Sequence, residues 1–161
     1  MKPFVKRTFI LLSAFILLLS ACRANISRNN DGSLTVETSI TQQELQSVIT
    51  SSIADPLVKN VTVSLQSGDV NVSAERQRLN DASKIDNLSF RLDLGVNNGQ
   101  LSSTISNALL DGKPIEQAHV DNWNQTIANR LAKVGQKNPN AKLQSVSITT
   151  GGVSMTWIVK Q

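Results

Sequence analysis

Cys22 is the only cysteine and His119 the only histidine in the 161-residue chain, and carboxylates are the other groups that could do chemistry. One histidine without a second histidine or a free cysteine falls short of the three or four ligands that zinc takes, so no metal centre is expected. A Ser-His-Asp triad would need His119 held by an acid and facing an activated serine, and no nucleophile-elbow sequence is present. Paired carboxylates could hydrolyse a glycoside. Asp31, Asp55, Asp69 and Asp111, however, fall in predicted turns or caps, where aspartate has a structural reason to be, and Asp93 lies beside Arg91 on a predicted wet strand face. No phosphate-binding glycine loop, dinucleotide fingerprint or calcium loop occurs. The side chains therefore describe a non-enzyme with no cofactor and no metal, in which His119 is a solvated or helix-packing residue.

The thiol of Cys22 is left to explain. Lys2, Lys6 and Arg7 precede an apolar run from Phe9 to Leu19, followed by the small residues Ser20 and Ala21, the order of a secretory leader. The run is shorter than the roughly 20 apolar residues a spanning helix needs, and Ser13 interrupts it. Leu19-Ser20-Ala21-Cys22 resembles the lipobox of bacterial lipoproteins. That resemblance implies that the Cys22 sulfur is diacylated and that Cys22 becomes the first residue of the mature chain. A leftover thiol in an exported protein needs such a purpose. Two or more acyl chains, at about 0.8 kcal/mol per buried methylene, make membrane attachment stable. The expected address is the outer face of a bacterial cell membrane. In a cell with two membranes it is the outer one, because Arg23 stands where an inner-membrane retention aspartate would.

Composition narrows the partners. Lys2, Lys6 and Arg7 account for three of the 16 basic residues, so the remainder nearly balances the 12 acids. A nucleic-acid binder would show a concentrated basic face, and none is expected here. Residues 1–21 read as the leader, 22–33 as a tether with a first strand, and 34–161 as a single α+β domain. That length is enough to bury about two-thirds of the unfolded surface.

Four stretches share one design, an alternating strand, a glycine-containing turn and a second alternating strand: ISRNNDGSLTVETSI, VKNVTVSLQSGDVNVSAE, LSFRLDLGVNNGQLSSTIS and LQSVSITTGGVSMTWIVK. Asp31-Gly32, Ser67-Gly68-Asp69, Asn98-Gly99 and Gly151-Gly152 supply the positive φ that tight hairpins require. Val61, Val63, Leu65, Val70 and Val72 share one face with Leu88, Phe90 and Leu92 as their counterparts in the next hairpin. Period-two alternation of this kind makes an antiparallel sheet with one buried and one wet face.

Two amphipathic helices are available to cover it. The first starts at Thr41, where Thr41-Gln42-Gln43-Glu44 fits a capping box, presents Leu45, Val48, Ile49 and Ile53, and ends at Asp55-Pro56. The second follows the Asp111-Gly112 turn, takes Pro114 into its first turn, and presents Ile115, Val120, Trp123, Ile127, Leu131 and Val134 before Gly135. Glu75 to Asn87, polar and without a period, reads as a surface loop, as does Gln136 to Lys142.

The expected architecture is thus a curved antiparallel sheet built from hairpins with two amphipathic helices packed on one face. A helix, two hairpins, a longer helix and a final hairpin behind a lipobox resemble the small bacterial lipoproteins of the tubular lipid-binding (TULIP-like) group, over residues 34 to 160. The resemblance implies a sheet wrapped around a helix and a role in lipid binding or envelope maintenance. Two functions stay open. In one, an apolar groove between sheet and helices, lined by Phe90, Leu92, Trp123, Ile127, Met155 and Trp157, takes a lipid or other amphiphile. In the other, those six residues fill a closed core, and the tethered domain holds an envelope protein or wall polymer on its polar strand face or edge strands.

Overall fold

The strands pair as the alternation requires. The computed structural model describes residues 24–136 and 138–160. In chain order these form β1 (Ala24–Arg28), β2 (Leu34–Ile40), α1 (Gln42–Ile53), β3 (Val58–Gln66), β4 (Asp69–Arg78), β5 (Asp81–Asn97) and β6 (Gln100–Leu110). They continue with β7 (Lys113–Pro114), α2 (Gln117–Gly135), β8 (Lys142–Thr149) and β9 (Gly152–Val159). The α+β class and the hairpin construction hold. The strands divide between two antiparallel sheets, one ordered β1-β2-β9-β8 and the other β3-β4-β5-β6-β7.

Each inward face is the one the period-two pattern names. Val63, Val70, Val72, Leu88, Phe90 and Leu92 are buried, while Thr62, Asn71, Ser73 and Arg91 between them are exposed. A side chain of this size removed from water contributes about 1.5–3 kcal/mol, so a strand shifted by one residue would expose its whole apolar set. The register shifts at several points, among them between Lys59 and Thr62 and between Ser89 and Arg91. These two place Asn60 at φ 50° and Asn107 at φ 53°. Asparagine tolerates this left-handed region because its short side chain carries less steric penalty there than a branched one.

Helix α1 begins as its capping box predicts: the Thr41 hydroxyl accepts from the Glu44 N–H at 3.3 Å, and the Glu44 carboxylate accepts from the Thr41 N–H at 2.8 Å. It ends at Ala54, which adopts a left-handed conformation. Leu45, Ile49 and Ile53 are buried, and the helix packs against β3 and α2. Helix α2 buries Val120, Trp123, Ile127 and Leu131 and packs on β6, α1 and β2.

Two expectations are corrected. Glu75 to Asn87 is not a loop: β4 and β5 run on through it, with Glu75 opposite Asn87, Arg76 opposite Asp86 and Gln77 opposite Ile85. Its polar sequence hid a ribbon held by ladder hydrogen bonds and by Arg78, which is 2.6 Å from Asp86 and 3.3 Å from Asp111. Pro114 is not in a helix turn either. Lys113 and Pro114 pair with Leu110 and Leu109, and α2 starts at Gln117. Proline lacks a donor and so suits the outermost strand of a sheet.

Candidate functional site

All six residues singled out as groove or core are interior. Phe90, Leu92, Trp123, Ile127, Met155 and Trp157 are between 0 and 9 % exposed. Phe90 and Trp123 meet with ring centroids 5.9 Å apart and planes tilted by 31°, within the range of favourable aromatic pairs. The Trp157 indole N–H donates to the Thr38 hydroxyl at 3.0 Å in a fully buried contact. Gly135, the last residue of α2, lies so close that a Cβ there would fall 2.5 Å from the Met155 methyl and 3.3 Å from the Trp157 ring. The glycine lets the helix end seat directly on β9.

The titratable groups take structural places. His119 is exposed on α2, its Nδ1 3.6 Å from a Glu116 carboxylate oxygen. Asp31 accepts from the hydroxyl and the N–H of Ser33, at 2.6 and 3.0 Å, which hold its carboxyl below the usual range. Burial pushes the Asp55 carboxyl up. The Arg76 guanidinium at 2.8 Å and the Leu57 N–H at 2.9 Å outweigh that and leave it lowered. Arg91 spans Asp69 and Asp93 at 2.9 and 2.8 Å. Among the described residues no three His, Cys, Asp or Glu side chains converge as metal ligands would, and no helix is long and apolar enough to cross a membrane. Cys22 and residues 1–21, which the sequence reads as a leader, lie outside the described residues.

A surface cavity of about 560 Å³ opens where the β5–β6 turn, the C-terminal half of α2 and the segment 138–142 meet. Its size falls within the range of small-ligand pockets. Asn98 and Gln100 come from the β5–β6 turn, Asn129 from α2, Gln136 from its C-cap, and Asn140 and Lys142 from the segment before and into β8. Ala128 and Ala132 keep the helix wall low, and Trp157, alone of the six interior residues, reaches its floor. The walls are pinned together. The Leu143 N–H donates to the Gly99 carbonyl at 2.8 Å, and the Gln136 side-chain amide donates to the Ala141 carbonyl at 2.9 Å. Gly99, at φ 77°, lies where a Cβ would be 3.3 Å from Lys142 Cβ, so the turn can approach β8 this closely.

Chemically the cavity is a ring of side-chain amides with one cation and no carboxylate. Each amide carries both donors and an acceptor, so the lining matches a ligand rich in hydroxyls or amides. Sequence reasoning missed it. Its residues belong to four separate segments, two of which read as a helix face and a loop, and no pattern signals their convergence. Comparison with family models, with characterised proteins and with solved structures finds no match to this chain.

Proposed function

We propose that this protein is a non-enzymatic envelope lipoprotein, anchored by acylated Cys22, whose filled core serves as a rigid carrier for a polar binding surface. The amide-lined cavity holds an envelope polymer that bears hydroxyls and amides. The observation that supports this reading over an internal acyl ligand is the burial of all six bulky inward side chains, while the 560 Å³ cavity is lined by Asn and Gln. Pinned walls leave little to order on binding, which favours affinity for a given contact area.

The test has two arms. The mature chain purified without detergent is expected to give a clean mass in native mass spectrometry and to exclude a fluorescent acyl probe. A reproducible adduct that extracts as a lipid would instead assign the interior to an amphiphile. In the second arm, Ala132→Trp fills the cavity from its half-buried α2 wall and should weaken retention on purified cell-wall polymer at least tenfold. Unchanged retention, or none by the parent chain, turns the search to a protein partner. The anchor is read separately: Cys22→Ser should move the chain to the soluble fraction, and retention after a carbonate wash would refute acylation.

A further inference from the structure

Among the described residues the sheets end at β1, β8, β3 and, beyond β6, the two-residue β7, and named groups satisfy the outward sides of β8, β3 and β6. The outer edge of β8 accepts at Ile148 from the Gly68 N–H at 3.2 Å and donates from Leu143 to Gly99 at 2.8 Å, so two hairpin turns cap it. On β3, the Gln42 side chain donates to the Val63 carbonyl at 2.8 Å, and the Val63 N–H donates to the Gln46 side chain at 3.4 Å. On β6, the Ile105 N–H donates to Asn124 Oδ1 at 2.7 Å, and β7 pairs with Leu109 and Leu110. Side-chain amides of both helices thus stand in for a neighbouring strand, which is how a fold blunts edges that would otherwise recruit one.

β1 is treated differently. It has β2 on one side and, among the described residues, no strand on the other, and all five of its residues are exposed. Ile26 is 63 % exposed, yet it stands opposite Val36, which stands opposite Trp157, which stands opposite Leu143. The apolar row of the core therefore runs on to the outermost strand, where no described residue covers Ile26.

We propose that this edge pairs with β1 of a second copy, antiparallel about a two-fold axis at Ile26. The sequence ANISR suits that register. Ile26 faces its own copy, Asn25 faces Ser27, and the ends place Ala24 opposite Arg28. Directly opposite residues share a face with Cβ atoms about 4.5–5.5 Å apart, so the two isoleucines cover each other and the four-stranded sheets join into one of eight strands. One strand pair buries less than the roughly 1,200 Å² of a stable interface. The dimer therefore rests on the anchor at Cys22, which confines both copies to one membrane and raises their effective concentration. Only Arg23 separates Cys22 from Ala24, a reach of about 7 Å. Both anchors can be seated only if the paired strands lie along the membrane plane.

The test is disulfide cross-linking of the full chain in its own membrane. With Cys22 acylated, Ile26→Cys introduces the sole free thiol and should give a covalent dimer on mild oxidation. Arg28→Cys should give at least tenfold less, since its two copies would be about 14 Å apart along the strands. Adding Asn25→Asp with Ser27→Asp to the Ile26→Cys chain sets like charges opposite each other and should abolish the link. Asn25→Asp with Ser27→Lys should restore it, and both pairs are exposed enough to leave the fold intact. A membrane-bound Ile26→Cys chain that stays monomeric, or an Arg28→Cys chain that links equally fast, overturns the pairing. A link to a protein of different mass overturns the second copy as occupant. A chain found in the soluble fraction refutes the anchor and with it the membrane dimer.

Discussion

The buried bond between Trp157 and Thr38 gives the sharpest stability test. Thr38→Val removes one hydroxyl, keeps the side-chain shape, and leaves the indole N–H without an acceptor in a site where both residues are 2 % exposed. An unpaired buried donor costs about 1–3 kcal/mol. The new methyl recovers up to about 0.8 kcal/mol of that by burial, so a net loss of about 1–2 kcal/mol is expected. For a domain of this size that is a fall in Tm of about 4–8 °C. Trp157→Phe should cost about 2–4 kcal/mol, because it strands the threonine hydroxyl and also leaves a cavity where the second ring was. The double variant strands neither group, so its loss should be less than the two single losses together by about 1 kcal/mol. Urea unfolding of a chain starting at residue 23, at pH 7, reads all four proteins. Trp123 remains as a fluorophore in the Phe variant, and an unchanged m-value certifies that the same transition is compared. A Thr38→Val chain within about 0.3 kcal/mol of the parent, or strict additivity in the cycle, would refute the buried pair.

Two further outcomes follow from local chemistry. Asp55 has a lowered carboxyl pKa, so the stability it contributes is present above its ordinary value of 3.8 and is lost as pH falls through the lowered folded value. Asp55→Asn should therefore cost about 1 kcal/mol at pH 7 and progressively less at and below pH 3, and an equal cost at both would be inconsistent with the Arg76 pair. Asn107→Val should destabilise by about 1–2 kcal/mol and Asn107→Gly by less, measured by thermal melts, because the bulge demands positive φ; indifference to valine would mean that the bulge is absent.

The strands were legible wherever one face is apolar. Val70, Val72, Leu88, Phe90 and Leu92 alternate with polar neighbours because only one side of the sheet meets the core. The Thr41 capping box was legible because it is local. Glu75 to Asn87 was not, since both faces of that ribbon meet water and its pairing leaves no hydropathy signal. Gln42, Gln46 and Asn124 carry no sequence signal of their role, since each hydrogen-bonds to a strand edge whose position depends on the tertiary fold. The cavity was hidden for the same reason, being assembled from segments that no spacing rule connects. Pro114 misled because a first-turn proline and an edge-strand proline fit the same short sequence.

The order of strands in the first sheet sets a schedule. β2 lies between β1 and β9, and the Thr38–Trp157 bond joins residues 119 positions apart. Synthesis proceeds from the N-terminus, so β1 and β2 emerge first and have no partner but each other, and an isolated hairpin is marginal in water. The second sheet, made of consecutive hairpins, can assemble as it appears, whereas the first must wait for the last two strands. Contacts this distant slow folding, and here they delay the pairing of β2 with β9 until synthesis is nearly complete. Under the export proposed above, a chain must stay unfolded while it crosses a membrane, and this strand order would serve that need without a separate device.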